Sequence, residues 1–75
     1  VGSEMCKETA LSDAGVGATL LKSAMQGASL NVYINTKSMK DRKRVEELNQ
    51  LADSLREEYE AKADRIFAEV SSRIR

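Results

Sequence analysis

The chain of 75 residues has no histidine, no proline, no tryptophan and a single cysteine, and its 12 basic and 12 acidic residues leave it without net charge. Each absence removes a class of answer. Without histidine, neither a Ser/His or Cys/His nucleophile pair nor a Cys/His zinc site can be assembled within one chain, and one cysteine makes no disulfide framework. Cys6 stands in a polar terminal stretch with no base ready beside it, so it reads as a plain reduced thiol. Zero net charge removes the general attraction to nucleic acid or an acidic membrane. The basic cluster Arg42, Lys43 and Arg44 is short and has no interleaved aromatics. No apolar run reaches the roughly 20 residues of a membrane span, because Lys22, Gln26 and the asparagines intervene. The N-terminus lacks the basic-then-apolar pattern of a secretory signal, which makes the cytosol the expected compartment. A chain that opens on Val1 suits a processed product or a piece of a longer one.

What is present is helical. With four glycines, two tyrosines and one phenylalanine, the composition favours helix over a sandwich or barrel. Residues 1–11, VGSEMCKETAL, show no sustained period and are expected to be a linker or frayed N-terminus, with 12–75 the helical part. Ser12 and Asp13 offer capping oxygens, with Leu11 as a hydrophobic staple, so a first helix is expected from there to about Thr36. The run NVYIN at Asn31 to Asn35 alternates like a strand, but no second strand-like run exists to pair with it. Ser38 and Asp41 resemble a capping box, which starts a second helix. Its apolar positions Val45, Leu48, Ala52, Leu55, Tyr59, Ala63, Ile66, Val70 and Ile74 recur at about the helical period and carry it nearly to the C-terminus. Glu58 with Lys62 and Glu69 with Arg73 are favourable pairs one turn apart on a solvated face.

Turned at about 100° per residue, the first helix has an apolar stripe (Leu21, Met25, Ala28, Val32, Met39) and a polar one (Thr19, Lys22, Gln26, Ser29, Tyr33, Lys37). A third face carries Asp13, Gly17, Ala24, Gly27, Asn31 and Asn35. Small residues there allow another backbone to approach, and one carboxylate and two amides point the same way. A second helix from Asp41 to Ser72 is about 48 Å long, against a radius of gyration near 11 Å for a compact chain of this size. The expected fold is therefore all-α: two long helices in an antiparallel hairpin, part of a larger or oligomeric helical bundle.

Chemistry has few places to reside. Gly15 to Gly17, GVG, lacks the third glycine and preceding strand of a dinucleotide loop. There remain Asp13, Asn31 and Asn35, with Lys40 beyond them. Each also fits an architectural role, Asp13 at a helix start and the asparagines as bridges between packed helices. Asp13 lies some 27 Å along the helix from Asn31, so the two flank an extended ligand or belong to different sites.

The segment SDAGVGATLLKSAMQGASLNVYINTKSMKD, Ser12 to Asp41, resembles the late helical part of the formimidoyltetrahydrofolate cyclodeaminase family, which includes the C-terminal domain of formiminotransferase-cyclodeaminase and the related methenyltetrahydrofolate cyclohydrolases. The resemblance rests on the SDAGVGA helix start, the small-residue body with Gly27 and Ala28, the LNVYIN run and the closing KSMKD. It implies an all-helical, oligomeric lyase-type fold and closure of 5-formimidoyltetrahydrofolate to 5,10-methenyltetrahydrofolate with release of ammonia, the tetrahydrofolate derivative being substrate and no metal being needed. By match to the motif, Asp13 is the candidate catalytic carboxylate, Asn31 and Asn35 the positioning amides, and Lys40 a contact for the anionic glutamate tail. The proline- and glycine-rich stretch and the helices that precede this segment in the family are not among these 75 residues. The chain alone is thus expected to be inactive, and its partner to be another copy or the N-terminal helices of such a domain. The rival expectation is a non-catalytic helical hairpin that acts by oligomerisation or interaction.

Overall fold

With no proline to interrupt it, the chain needs only one reversal, and it makes it between Lys37 and Arg42. The computed structural model describes the backbone of residues 2–75 and the side chains of residues 7–75. Helix α1 spans Gly2–Lys37 and helix α2 Arg42–Ile74, packed against each other in an antiparallel hairpin. Among the described residues there is no strand, so NVYIN is helical as expected. Four residues, Ser38 to Asp41, form the connection.

Two boundaries differ from those expected. Residues 2–11 are helical, so Ser12 and Asp13 lie inside α1 and do not cap it. Lys7, Glu8, Ala10 and Leu11 are good helix formers, and Leu11 shares a hollow with Ile66, Val70 and Arg73 near the end of α2, which gives this stretch tertiary cover. At the connection the cap is Asp41 alone: its backbone is extended (φ −78°, ψ 95°) and its carboxylate accepts from Arg44 N at 3.2 Å. Ser38 instead donates its hydroxyl to the Asn35 carbonyl at 3.2 Å, tying off the end of α1. Cys6 lies outside the described side chains.

The core is a thin seam. On α1 the residues facing α2 are Leu11, Gly15, Ala18, Lys22, Met25, Ser29, Val32 and Thr36, at alternating steps of four and three, the seven-residue rhythm of paired helices. On α2 they include Val45, Ala52, Ala63 and Val70, together with the polar Asn49 and Arg56. Buried hydrophobics among the described residues are limited to Ala18, Val45, Ala63 and Val70. Gly15 is needed at one point of close approach, where a Cβ would come within 3.2 Å of Val70 Cγ1. The face toward α2 thus falls between the apolar and polar stripes expected from the sequence: Met25 and Val32 are half-buried, whereas Leu21 stays 72% exposed. The rod measures 61 × 15 × 13 Å with a radius of gyration of 17.3 Å, well above the compact value, as the helix lengths require.

Candidate functional site

Register comes first, because it decides which side chains can meet. Going down α1 and up α2, Thr36 donates to Asn49 at 2.7 Å, Tyr33 donates to Asp53, Gln26 donates to Glu60 at 2.7 Å and Lys22 donates to Asp64 at 2.7 Å. Each step back along α1 is matched by a comparable step forward along α2, and the Gly15–Val70 contact continues the series. Arg56 sits within the ladder, donating to Glu60 at 2.6 Å and lying 3.9 Å from Asp53. The bonds from Gln26 and then Arg56 hold the Glu60 carboxyl below its ordinary range, and the bond to Asp64 raises the Lys22 ammonium. These groups are satisfied by one another. They set pairing and present no free acid or base.

The sequence alone does not reveal this ladder: Lys22, Gln26 and Tyr33 stand out as a polar stripe, but their partners follow only from the register. One signal does exist, the four-and-three spacing that places Lys22, Ser29 and Thr36 on the seam together with Ala18 and Met25.

The four candidate residues lie elsewhere. Asp13, Asn31, Asn35 and Lys40 are all exposed, and the first three share the face of α1 turned away from the seam. Gly17 and Gly27 on the same face have no atom of α2 within 4 Å of where a Cβ would stand, so the close backbone approach expected there is not made by α2. Asp13 borders a shallow hollow at the open end with Glu8, Thr9, Ser12 and Ile74. Toward the closed end the Asn35 amide donates to the Asn31 carbonyl at 2.8 Å, one turn back, which leaves its own carbonyl oxygen free to accept. Because α1 is continuous, Asp13 and Asn31 are about 27 Å apart along it. The hairpin brings Asn31 and Asn35 together, with Lys40 just past the end of the helix, and leaves Asp13 five turns away.

A separate apolar groove of about 500 Å3 runs along one broad side, lined by Leu21, Ala24, Met25, Ala28, Tyr59 and Ile66 among others. Lys62 places its ammonium 4.9 Å from the centre of the Tyr59 ring at its margin. Among the described residues, no cluster of three His, Cys, Asp or Glu side chains is arranged to hold a metal ion, and no helix is long and apolar enough to cross a membrane.

No curated protein and no solved structure matches this chain significantly. A family model does: that described as formiminotransferase-cyclodeaminase, in its C-terminal form, matches residues 2–54. The matched stretch takes in all of α1, the connection and the first part of α2, with the SDAGVGA and LNVYIN runs and the KSMKD turn inside it. Since this is well over half of the chain, the protein belongs to the formiminotransferase-cyclodeaminase family.

Proposed function

We propose that this hairpin serves as the late helical segment of a folate cyclodeaminase, the enzyme that closes 5-formimidoyltetrahydrofolate to 5,10-methenyltetrahydrofolate and releases ammonia. The observation that carries the reading is the family match over residues 2–54. In that reaction N10 of the folate attacks the formimidoyl carbon and loses a proton, and the departing amine gains one. A carboxylate is suited to move such protons, and amides are suited to orient the heterocycle. Asp13 is assigned the first role, Asn31 and Asn35 the second, and Lys40 the anionic tail of the folate. The outward position of all four supports this, since α2 leaves them accessible. Because Asp13 stands about 27 Å from Asn31 along α1, the two do not meet at one reacting centre within a chain, so a further helical surface must complete the site, from a second copy or from other helices of such a domain, in the cytosol where folate chemistry would place it. Turnover by the isolated hairpin is not expected.

The test is thermal unfolding of the chain with and without a tetrahydrofolate derivative. A saturable rise in Tm, absent with glutamate alone, supports the reading, and Asp13→Asn in the assembled enzyme should then abolish turnover while folate still binds. One observation favours a second reading, the non-catalytic interaction hairpin: the candidate residues line no enclosed cavity. Helicity that depends on concentration and ignores folate would establish it.

A further inference from the structure

The last two turns of α1 are the part of the helix least able to form by themselves. Asn31 to Thr36, NVYINT, consists of asparagine, β-branched residues and tyrosine, all low in helix propensity, and it alternates like a strand. The candidate amides Asn31 and Asn35 both stand on this stretch. As helix it places them one turn, about 6 Å, apart along the axis, and the Asn35 amide donates to the Asn31 carbonyl at 2.8 Å. As extended chain the same four steps would part them by about 13 Å. Contacts from outside the stretch must therefore decide between the two.

Helix α2 supplies such contacts at two points. Thr36, 3% exposed, donates its hydroxyl to Asn49 at 2.7 Å, and Tyr33 donates to Asp53. Arg56 lies 3.9 Å from Asp53 on its other side. Thr36 and Tyr33 leave α1 toward the seam, whereas Asn31 and Asn35 are exposed. Holding the first two against α2 thus fixes the turns on which the amides stand and faces the amides outward. The other two rungs of the ladder, Gln26 to Glu60 and Lys22 to Asp64, meet α1 before this stretch begins. The family match divides the ladder at the same place: residues 2–54 take in Asn49 and Asp53 and leave out Glu60 and Asp64.

We propose that Asn49 and Asp53 are positioning residues for the Asn31 and Asn35 amides. By accepting from Thr36 and Tyr33 they keep the strand-like end of α1 helical, and so keep the two amides one turn apart and open to a ligand. A binding group must be held within narrow limits by the bonds behind it, and here those bonds come from the neighbouring helix. What the amides do toward the folate heterocycle rests on the reading above; the clamp itself does not.

The experiment follows the side-chain amide signals of Asn35 and backbone amide exchange along α1 by NMR in the full chain, beside the change in Tm with a tetrahydrofolate derivative. In Asn49→Ala and Asp53→Ala the Asn35 side-chain signals should move to those of a free amide. Exchange at residues 33–37 should quicken roughly tenfold, as for the loss of one hydrogen bond, with little change around Lys22. The folate-dependent rise in Tm should be lost with them. Asn49→Asp and Asp53→Asn, which keep an accepting oxygen, should preserve both. Tyr33→Phe, which removes a donor and keeps the ring, should act in the direction of the alanine variants and covers the case of one that does not fold. Lys22→Met removes a rung far from the amides and should leave the Asn35 signals and the folate effect in place. Asn35 signals that ignore the alanine variants and Tyr33→Phe overturn the proposal, as does an equal shift in Lys22→Met or folate protection that survives loss of the amide pair. A wild-type chain without any folate effect removes the folate reading alone, and the Asn35 signals still decide the clamp.

Discussion

Glu60 shows how a single residue ties the hairpin together, because it accepts from Gln26 across the seam and from Arg56 one turn back on its own helix. Its folded pKa lies below the ordinary 4.5, so the stabilisation it contributes is present above that pH and is lost as pH falls through the lower folded value. Lys22 has the opposite sign: its folded pKa lies above 10.5, and its contribution is intact below that pH and lost as pH rises through the raised value. A profile of Tm against pH should therefore fall at both ends. Glu60→Gln should flatten the acid limb and leave the alkaline one, an outcome that an unchanged acid limb would refute. Apolar burial is more concentrated. Val45 is 2% exposed beside the turn, and Val45→Ala should cost roughly 1–3 kcal/mol, measured by denaturant titration. Asp41→Ala should cost about 1 kcal/mol through loss of the bond to Arg44 N. Val45 is legible in the sequence as the first term of a helical period, whereas Asp41 reads there as the closing member of a capping box begun by Ser38 and is itself the cap in the structure. The partners of Glu60 are not legible there, because Gln26 lies 34 residues away and only the register joins them.

At the scale of the element, α1 is the anomaly. It is a 36-residue helix that keeps glycine at three positions within its body, each less favourable than alanine by about 1 kcal/mol. Gly15 is accounted for by Val70; Gly17 and Gly27 face nothing within the hairpin. Val16, Leu20, Leu30 and Ile34 are also left exposed, so α1 keeps apolar surface beyond the part that α2 covers. For the hairpin on its own, Gly17→Ala and Gly27→Ala should each stabilise by up to about 1 kcal/mol. If either substitution instead lowers Tm at high protein concentration and raises it on dilution, another backbone occupies that face in the assembly. The helix and its small-residue face are legible in the sequence, but its beginning is not. Residues Lys7 to Leu11 have the propensity for helix without a sustained period, and cover from the far end of α2, through Val70 and Arg73, extends the helix there. Nor does the sequence separate the outward Leu21 and Ala28 from the packing stripe, since a 3.6-residue period applied over many turns drifts away from a seam that repeats every seven residues.

For the whole molecule, the stretch that carries the family match and the stretch that closes the fold are different. The match ends at residue 54, but the contacts that hold the open half of α1 come later: Glu60 to Gln26, Asp64 to Lys22, Val70 to Gly15, and Ala63 beneath Ala18 and Met25. Each isolated helix turn is marginal in water, and a long helix with three glycines depends on tertiary cover more than on propensity. A chain truncated after Ser54 should thus lose much more helix than its deleted residues contain, because the part of α1 before about Gln26 loses every partner on α2. Far-ultraviolet circular dichroism per residue measures this directly. Equal ellipticity per residue in the truncated and full chains would show that α1 stands by itself, and that the second half of α2 is there for something other than holding it. The expected collapse would place the reason in the architecture: the motif-bearing helix is positioned by a strut outside the motif, and the outward face with Asp13, Asn31 and Asn35 is presented only while that strut is paired.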